Sequence, residues 1–441
     1  MLNFEASTPR STRSLVSERL VDIPEGWRLI RLRHAFNFNK GLTITKEHLQ
    51  QEGIPCVNYG EIHSKYGFEV DPARHPLKCV DPSYLPANQA SLLRRGDFVF
   101  ADTSEDIAGS GNFTCYNSDR QAFAGYHTLI AKPKTPMNFR FMAYVFDSPT
   151  FRAQVRTEVK GVKVFSISQA ILKPAFAWLP PRHEQDAIAE FLDEKCAKVD
   201  EAVRIKEEQI ALLRERRQIL IQEAVTRGLN PEVPMKDSGI DWIGQIPAHW
   251  EIRKVKQIFR LVADAAARNN SHELLSIYTD IGVRPRRDLE ERGNKASTTD
   301  SYWLVEKGDF IVNKLLAWMG AIGLSKYEGV TSPAYDILRP RVSISGQYYH
   351  RLFRSKSFSL EVKRFSRGIM EMRLRIYFDK LGVMQVPFPP ASEQHEIVDH
   401  LNEHERKIDD AIALKEGQIA SLKEYKTTLI NAAVTGKIKV V

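Results

Sequence analysis

The sequence predicts an α/β protein: two pseudo-symmetric mixed α/β domains separated by two long helices, kept in both halves, that pair as an antiparallel coiled coil. Three observations carry this prediction. The segment Pro180-Pro181-Arg182-His183-Glu184-Gln185 returns as Pro389-Pro390-Ala391-Ser392-Glu393-Gln394. After each copy the same apolar spacing runs on for roughly forty residues. Ile188, Leu192, Val199, Val203, Ile210, Leu213, Leu220 and Ala224 are answered, 209 positions later, by Ile397, Leu401, Ile408, Ile412, Ile419, Leu422, Leu429 and Ala433. Finally, Ile23-Pro24-Glu25-Gly26-Trp27 and Ile246-Pro247-Ala248-His249-Trp250 open the two halves with a shared Ile-Pro-x-x-Trp entry. A repeat of this length within one chain marks a duplicated structural unit.

Residues 1–22 precede the repeat and form an N-terminal extension that it does not account for. The first globular domain spans 23–180. Within it Arg95-Gly96-Asp97-Phe98-Val99 reads as a turn feeding an apolar strand, matched by Lys307-Gly308-Asp309-Phe310-Ile311 in the other half. Both halves then reach an x-Pro stop, at Lys132-Pro133 and Arg339-Pro340. Short strands bounded by Gly, Pro, Asn and Asp predict a twisted or barrel-like sheet.

Residues 181–228 form the first long helix, with one seam through Leu192, Val199, Lys206, Leu213 and Leu220 and a second through Ile188, Val203, Ile210 and Ala224. Sustained sevens predict a coiled-coil seam. At about 1.5 Å per residue, some forty residues make a rod of roughly 60 Å that holds the globular parts apart. Residues 229–245, containing Asn230-Pro231-Glu232-Val233-Pro234, form a linker. The second globular domain spans 246–388, and the second helix 389–437 repeats the seam at Leu401, Ile408, Lys415, Leu422 and Leu429. Lys206 and Lys415 interrupt the same seam position. Each either sets register as a buried polar residue or turns its ammonium out to water. The endings Glu223-Ala224-Val225-Thr226-Arg227-Gly228 and Asn431-Ala432-Ala433-Val434-Thr435-Gly436 each bring a glycine stop. Arg227 stands where the second copy has Gly436, so the end of the first helix stays open.

Length and a 43% hydrophobic content allow real cores in two to four domains. Four scattered cysteines (Cys56, Cys79, Cys115, Cys196) form no CxxC pair, which argues for a reducing, cytoplasmic setting without a disulfide framework. Met1 to Leu20 lacks an apolar core run and no stretch approaches the roughly 20 apolar residues of a membrane span. A soluble, unexported protein is expected.

Enzymatic motifs are incomplete. No GxxxxGK[ST] occurs, and Thr435-Gly436-Lys437-Ile438 lacks the upstream glycine and the metal-binding hydroxyl. Gly109-Ser110-Gly111 and Asp81-Pro82-Ser83-Tyr84 superficially suggest a cofactor loop and the Asp-Pro-Pro-Tyr signature of amino-methyltransferases. Ser83 replaces the second proline, and the second half has no counterpart of either, so turn chemistry explains them better. His63, His75, His127 and His183 stand at no metal-ligand spacing. His400 and His404, four apart, read as an exposed polar face rather than a metal site. The expectation is a non-catalytic binder with no metal and no cofactor of its own.

Charge points to the ligand. Of a net +8, residues 350–380 carry nine Lys/Arg against three acids, and the matching window 143–173 carries five against two. Basic charge concentrated at equivalent places suits two separate grips on phosphate. The candidate DNA-binding residues are Lys40, Lys46, Arg156, Lys160 and Lys163 in the first half. In the second they are Lys314, Arg364, Arg367, Arg373 and Arg375, with Trp318 near the upstream turn. Arginine can take guanine O6 and N7, while lysine more often holds phosphate. The halves share framework and differ in these loops, which would give two different half-sites.

The ordered set of paired Ile-Pro-x-x-Trp openings, Pro-Pro-x-x-Glu-Gln helix starts and Ala-Val-Thr endings resembles the specificity subunit (HsdS) of type I restriction–modification systems, from Ile23 to Lys437. The resemblance implies that 23–180 and 246–388 are target-recognition domains, each reading one half of a bipartite asymmetric site in double-stranded DNA. It implies that the helices set the spacer and dock two modification (methyltransferase) subunits, with restriction (translocase/nuclease) subunits as further partners. S-adenosylmethionine, ATP and Mg would then act on those partners. A self-contained restriction–modification protein with a degenerate methyltransferase site, and a coiled-coil scaffold, are the competing readings.

Overall fold

The computed structural model describes residues 24–161, 163–288, 299–368 and 373–440. The predicted extension 1–22, Ile23 of the entry motif and Ile369–Met372 of the second basic loop lie outside the described residues. Two compact units divide the chain. The first takes the residues up to Ile205 together with those from Gly417 onward, and the second is Lys206–Glu416. The divisions fall inside both long helices, so each unit owns half of each.

In the first unit, β1 (Arg28–Arg31) is followed by β2 (Phe36–Lys40), β3 (Phe68–Val70), β4 (Phe98–Ala101), β5 (Phe113–Tyr116) and β6 (Thr128–Pro133). The central sheet has the order β2-β6-β4-β5-β3, antiparallel except for the parallel edge pair β3 and β5. The order is linear, so among the described residues this sheet is open rather than barrel-like. Alternation along β4 explains its uniformly apolar sequence. Phe98 and Phe100 enter one core with Phe36, Phe113 and Phe146, while Val99 and Ala101 enter another with Val57, Val70 and Ile130. A strand covered on both faces has no polar side to show. Helices α1 (Phe139–Asp147) and α2 (Pro149–Glu158) cover the first face. Ser148 ends α1 and starts α2, its hydroxyl accepting from Phe151 N at 3.3 Å with Pro149 at the first helical position. The strand β7 (Phe176–Leu179) returns to pair with β1 and leads into the long helix α3 (Arg182–Arg227).

The second unit repeats this plan. It holds β8 (Glu251–Lys254), β9 (Phe259–Val262), β10 (Phe310–Asn313), β11 (Ile322–Leu324), β12 (Tyr335–Pro340), α4 (Gly346–Arg354), α5 (Lys356–Phe365), β13 (Gln385–Phe388) and the long α6 (Ala391–Val434). The sheet order β9-β12-β10-β11 matches β2-β6-β4-β5, and among the described residues the parallel edge strand has no counterpart. Phe310 and Val312 face one core and Ile311 the other, as in β4. Ser355 caps α5 by accepting from Phe358 N at 3.3 Å, repeating Ser148.

Within each unit the helix segments run side by side and antiparallel. In the first, Lys426 meets Asp200 at 2.7 Å, and in the second Arg217 meets Asp409 and Lys415 donates to Gln209 at 2.6 Å. Of the predicted seam, Leu192, Val199, Leu401 and Ile408 are buried. Lys206, Leu213, Leu220, Lys415, Leu422 and Leu429 are half-buried, as the flank of a two-helix pair leaves them. Lys415 thus ends on a glutamine amide of the facing helix. Gly228 and Gly436 both take φ +73°, so both helices end in a left-handed glycine. The first helix runs two residues further, through Arg227, whereas the second ends at Val434, the counterpart of Val225.

Candidate nucleic-acid interface

The repeated motifs meet one another, and this fixes each sheet and its covering helix on the long helix. Trp27 Nε1 donates to Glu184 at 2.8 Å, and Trp250 Nε1 donates to Glu393 at 2.8 Å. Gln185, buried, accepts from Asn138 N at 2.9 Å and donates to Pro180 O at 2.8 Å. Gln394, also buried, accepts from Ser345 N at 2.8 Å and donates to Pro389 O at 2.9 Å. Asn138 and Ser345 start α1 and α4, so each Glu-Gln pair ties the entry tryptophan, the sheet-covering helix and the long helix together. The Ala-Val-Thr ending closes the same place from the other helix. A side chain at Gly436 would strike Pro24, and one at Gly228 would press on Trp250 and Pro247. Sequence reading found all three motif pairs but not that they converge; the matched Trp and Glu, each with hydrogen-bonding capacity and one copy per half, were the available signal.

At the end of each sheet a basic hairpin follows the second covering helix. In the first unit Lys160 bridges Ser166, Phe165–Ser166 pairs with Thr103–Ser104, and Ile167 N donates to Asp102 O at 2.7 Å. In the second, Arg367 and Arg375 exchange backbone hydrogen bonds of 2.9 Å each, and Ile376 N donates to Lys314 O at 3.0 Å. Asp102 and Lys314 are the residues just after the equivalent strands β4 and β10. The hairpins are therefore equivalent in place and different in sequence.

The predicted residues sort themselves by what already holds them. Lys160 and Lys163 are exposed on the first hairpin, and Arg367, Arg373 and Arg375 on the second. Lys40 closes β2 opposite Leu129, which in turn pairs with Phe100 of β4, so it lies at the sheet end that carries the hairpin. Lys46 is exposed in the short turn Lys46–His48 that follows. Arg156 is partly buried and donates to Ala108 O; burial and the nearby Arg152 push its pKa down. Arg364 is exposed but 2.9 Å from Glu361. Lys314 is engaged by Asp336 at 3.1 Å, with both side chains largely covered.

Part of the basic windows is internal scaffolding. Arg152 binds Asp147 and Asn112, and Arg351 binds Glu405 at 2.8 Å and Asn402 at 2.6 Å. Arg354 spends its guanidinium on the carbonyls of Tyr278, Thr279, Asp280 and Gly320. Net charge per window could not distinguish these from the exposed cations. His400 and His404 stack on α6 with ring centroids 4.1 Å apart, and among the described residues no group of three or more His, Cys, Asp or Glu is placed to hold a metal. Asp81 caps the turn Pro82–Tyr84 through Ser83 N at 2.8 Å. Among the described residues no helix is long and apolar enough to cross a membrane.

The fold is that of solved HsdS structures. A chain solved in work on the complex assembly and conformational transition of the type I restriction–modification system superposes with a TM-score of 0.68 at 16% identity, covering 95% of this chain and all of the other. The HsdS subunit from Thermoanaerobacter tengcongensis superposes at 0.53, again at 16% identity, over 94% and 98% of the two chains. The curated homologues are type I restriction enzyme specificity subunits. The putative MjaX specificity subunit of Methanocaldococcus jannaschii is 22% identical over 431 residues, 95% of each chain. The MjaVIII specificity subunit of the same organism is 23% identical over 308 residues, 65% of this chain and 67% of its own. No family model matches the sequence.

Proposed function

We propose that this chain is the DNA-recognition subunit of a type I restriction–modification complex, each unit reading one half of a bipartite asymmetric site. The observation that carries the reading is the contrast within the pair. The scaffold repeats down to individual hydrogen bonds (Trp27–Glu184 and Trp250–Glu393, Gln185–Asn138 and Gln394–Ser345), while the basic hairpins on it differ residue by residue. A repeated mount with unlike heads suits two unlike half-sites. Lys40, Lys46, Lys160 and Lys163 on one unit, and Arg364, Arg367, Arg373 and Arg375 on the other, are the cations left facing water for phosphate and base contact. Arg156 and Lys314 are already engaged within the unit, by Ala108 O and by Asp336.

The long helices dock two modification subunits and set the spacer between half-sites. Leu212 and Ile219 on α3 are seven residues apart and 63% and 50% exposed, and Leu414 on α6 is 64% exposed. Apolar residues left in water at heptad spacing suit a partner helix. Methyl transfer with S-adenosylmethionine, and ATP- and Mg-dependent cleavage by restriction subunits, fall to the partners; this chain acts without catalysis, in the cytoplasm.

Sequencing methylated positions in cells that express the chain with a modification subunit tests the proposal. The expected result is one split, asymmetric motif. One inserted heptad in either helix changes the unspecified spacer and neither half-site. An undivided motif, or no affinity for DNA in the assembled complex, refutes the reading.

A further inference from the structure

The loop after β10 differs in chemistry between the two units. In the first unit its counterpart after β4 presents the exposed acids Glu105 and Asp106 and a single large apolar residue, Ile107. In the second, Leu315, Leu316 and Met319 are 40%, 39% and 51% exposed within five positions. Tyr377, also exposed, stands beside them, with Lys314 Nζ 5.9 Å from its ring centroid.

These side chains are presented rather than loose. Asn313 Oδ1 accepts from Leu315 N at 3.0 Å and Leu316 N at 3.3 Å, fixing the turn at its start. Gly320, at φ +91°, closes it, and Arg354 holds the Gly320 carbonyl at 2.9 Å. Backbone anchored at both ends keeps the loop from folding its apolar groups inward. The surroundings are cationic: the Arg367–Arg375 hairpin joins the loop at Lys314, and Lys363 lies 5.1 Å from the Trp318 ring centroid.

An apolar patch set among cations fits a polyanion that itself displays apolar groups. Duplex DNA displays one such group in the major groove, the C5 methyl of thymine. We propose that the Leu315–Met319 loop reads thymine methyls in the half-site of the second unit. The inference rests on the DNA-reading function proposed above and adds the base class that one head selects. Among the described residues, the equivalent loop of the first unit carries the acids Glu105 and Asp106 and one exposed apolar side chain, Ile107, in place of this cluster.

The test uses the complete complex with its modification subunits. Methylation mapping gives the bipartite site, and the half-site that crosslinks to peptides from residues 246–388 is assigned to the second unit. Duplexes with deoxyuridine in place of thymidine in that half-site are then compared in a binding titration. The expected result is a thymine-containing half-site and binding about fourfold weaker for each contacted methyl removed. The double variant Leu315→Ser, Met319→Gln, altered only at exposed positions, then binds thymidine and deoxyuridine duplexes alike. A second half-site without thymine, or equal binding of both duplexes by the unaltered chain, overturns the inference while leaving the DNA-reading function standing. Absence of any sequence-specific site removes both.

Discussion

Asp97 and Asp309 occupy the same turn in the two units, and replacing each by asparagine is expected to have opposite effects. Both are buried, and each accepts a backbone hydrogen bond across its turn, from Arg94 N at 2.9 Å and Glu306 N at 2.8 Å. Their cationic neighbours behave differently. Arg339 on β12 donates two hydrogen bonds of 2.8 Å to Asp309, and that carboxylate pushes the arginine pKa up. Lys132, at the same place on β6, donates instead to Leu92 O at 2.6 Å. Burial therefore dominates at Asp97 and raises its pKa. For an acid with a raised folded pKa, stability is fullest below the ordinary carboxylate value and falls as pH rises through the raised one. At neutral pH the charged form is buried at a cost, so Asp97→Asn, which keeps the acceptor for Arg94 N, should change stability by less than about 1 kcal/mol and in the favourable direction.

Asp309→Asn removes the charge that a largely covered guanidinium faces. Breaking such a pair costs about 3–5 kcal/mol when fully buried. Because Arg339 retains some exposure and a contact with Glu306 at 2.7 Å, about 2–3 kcal/mol is expected here. Amide hydrogen exchange read separately on Phe98–Ala101 and Phe310–Asn313 resolves the two units. A loss of 2–3 kcal/mol is a fall of about 30- to 160-fold in protection. Equal losses in the two variants, or unchanged protection of Phe310–Asn313 in Asp309→Asn, would refute the reasoning.

Other outcomes follow from the same geometry. Gln394→Ala strands Ser345 N–H and Pro389 C=O in a buried site and should lower stability by about 2–4 kcal/mol, seen as a lower urea midpoint for the second unit. His350 accepts from Leu324 N at 3.2 Å and burial lowers its pKa to about 3. Its unfolded form therefore binds the extra proton between about pH 6.5 and pH 3, so the second unit loses stability on acidification through that window. His350→Gln should flatten this slope in denaturation curves taken across pH. Replacing Arg367 or Arg373 with alanine should weaken DNA binding by about 1–3 kcal/mol. Relaxed choice at one base assigns a base-reading role, whereas a uniform loss with a shallower salt slope assigns phosphate contact.

The long helices were legible because their signal is periodic and local: Leu192, Val199, Leu401 and Ile408 recur at sevens, and each is buried. The turn-to-strand step at Gly96-Asp97-Phe98 was legible for the same reason. The arrangement of strands was not. Neither the linear order of the sheet nor the parallel pairing of Phe68–Val70 with Phe113–Tyr116 leaves a mark in composition. For the site, charge located the basic hairpins but did not separate Arg367 from Arg354, since one faces water and the other binds four carbonyls within the unit. The loop Leu315–Met319 was hidden by its own composition, because an apolar run reads as core until exposure is known.

The first unit is discontinuous in sequence. Ile430, Ala433 and Val434 belong to the same core as Leu192 and Cys196, and Asn431 accepts from both Thr150 N and its hydroxyl. The second unit is the single stretch Lys206–Glu416. On a ribosome, chain order and completion order are thus reversed: the unit begun first finishes last, after the later one already has every residue it needs. Until Gly417 and its successors emerge, the apolar face around Ile188, Leu192 and Cys196 stands without part of its cover. A chain stopped at Glu416 should therefore keep a protected Phe310–Asn313 strand and lose protection at Phe98–Ala101, so that translational arrest near residue 416 damages the half made earliest.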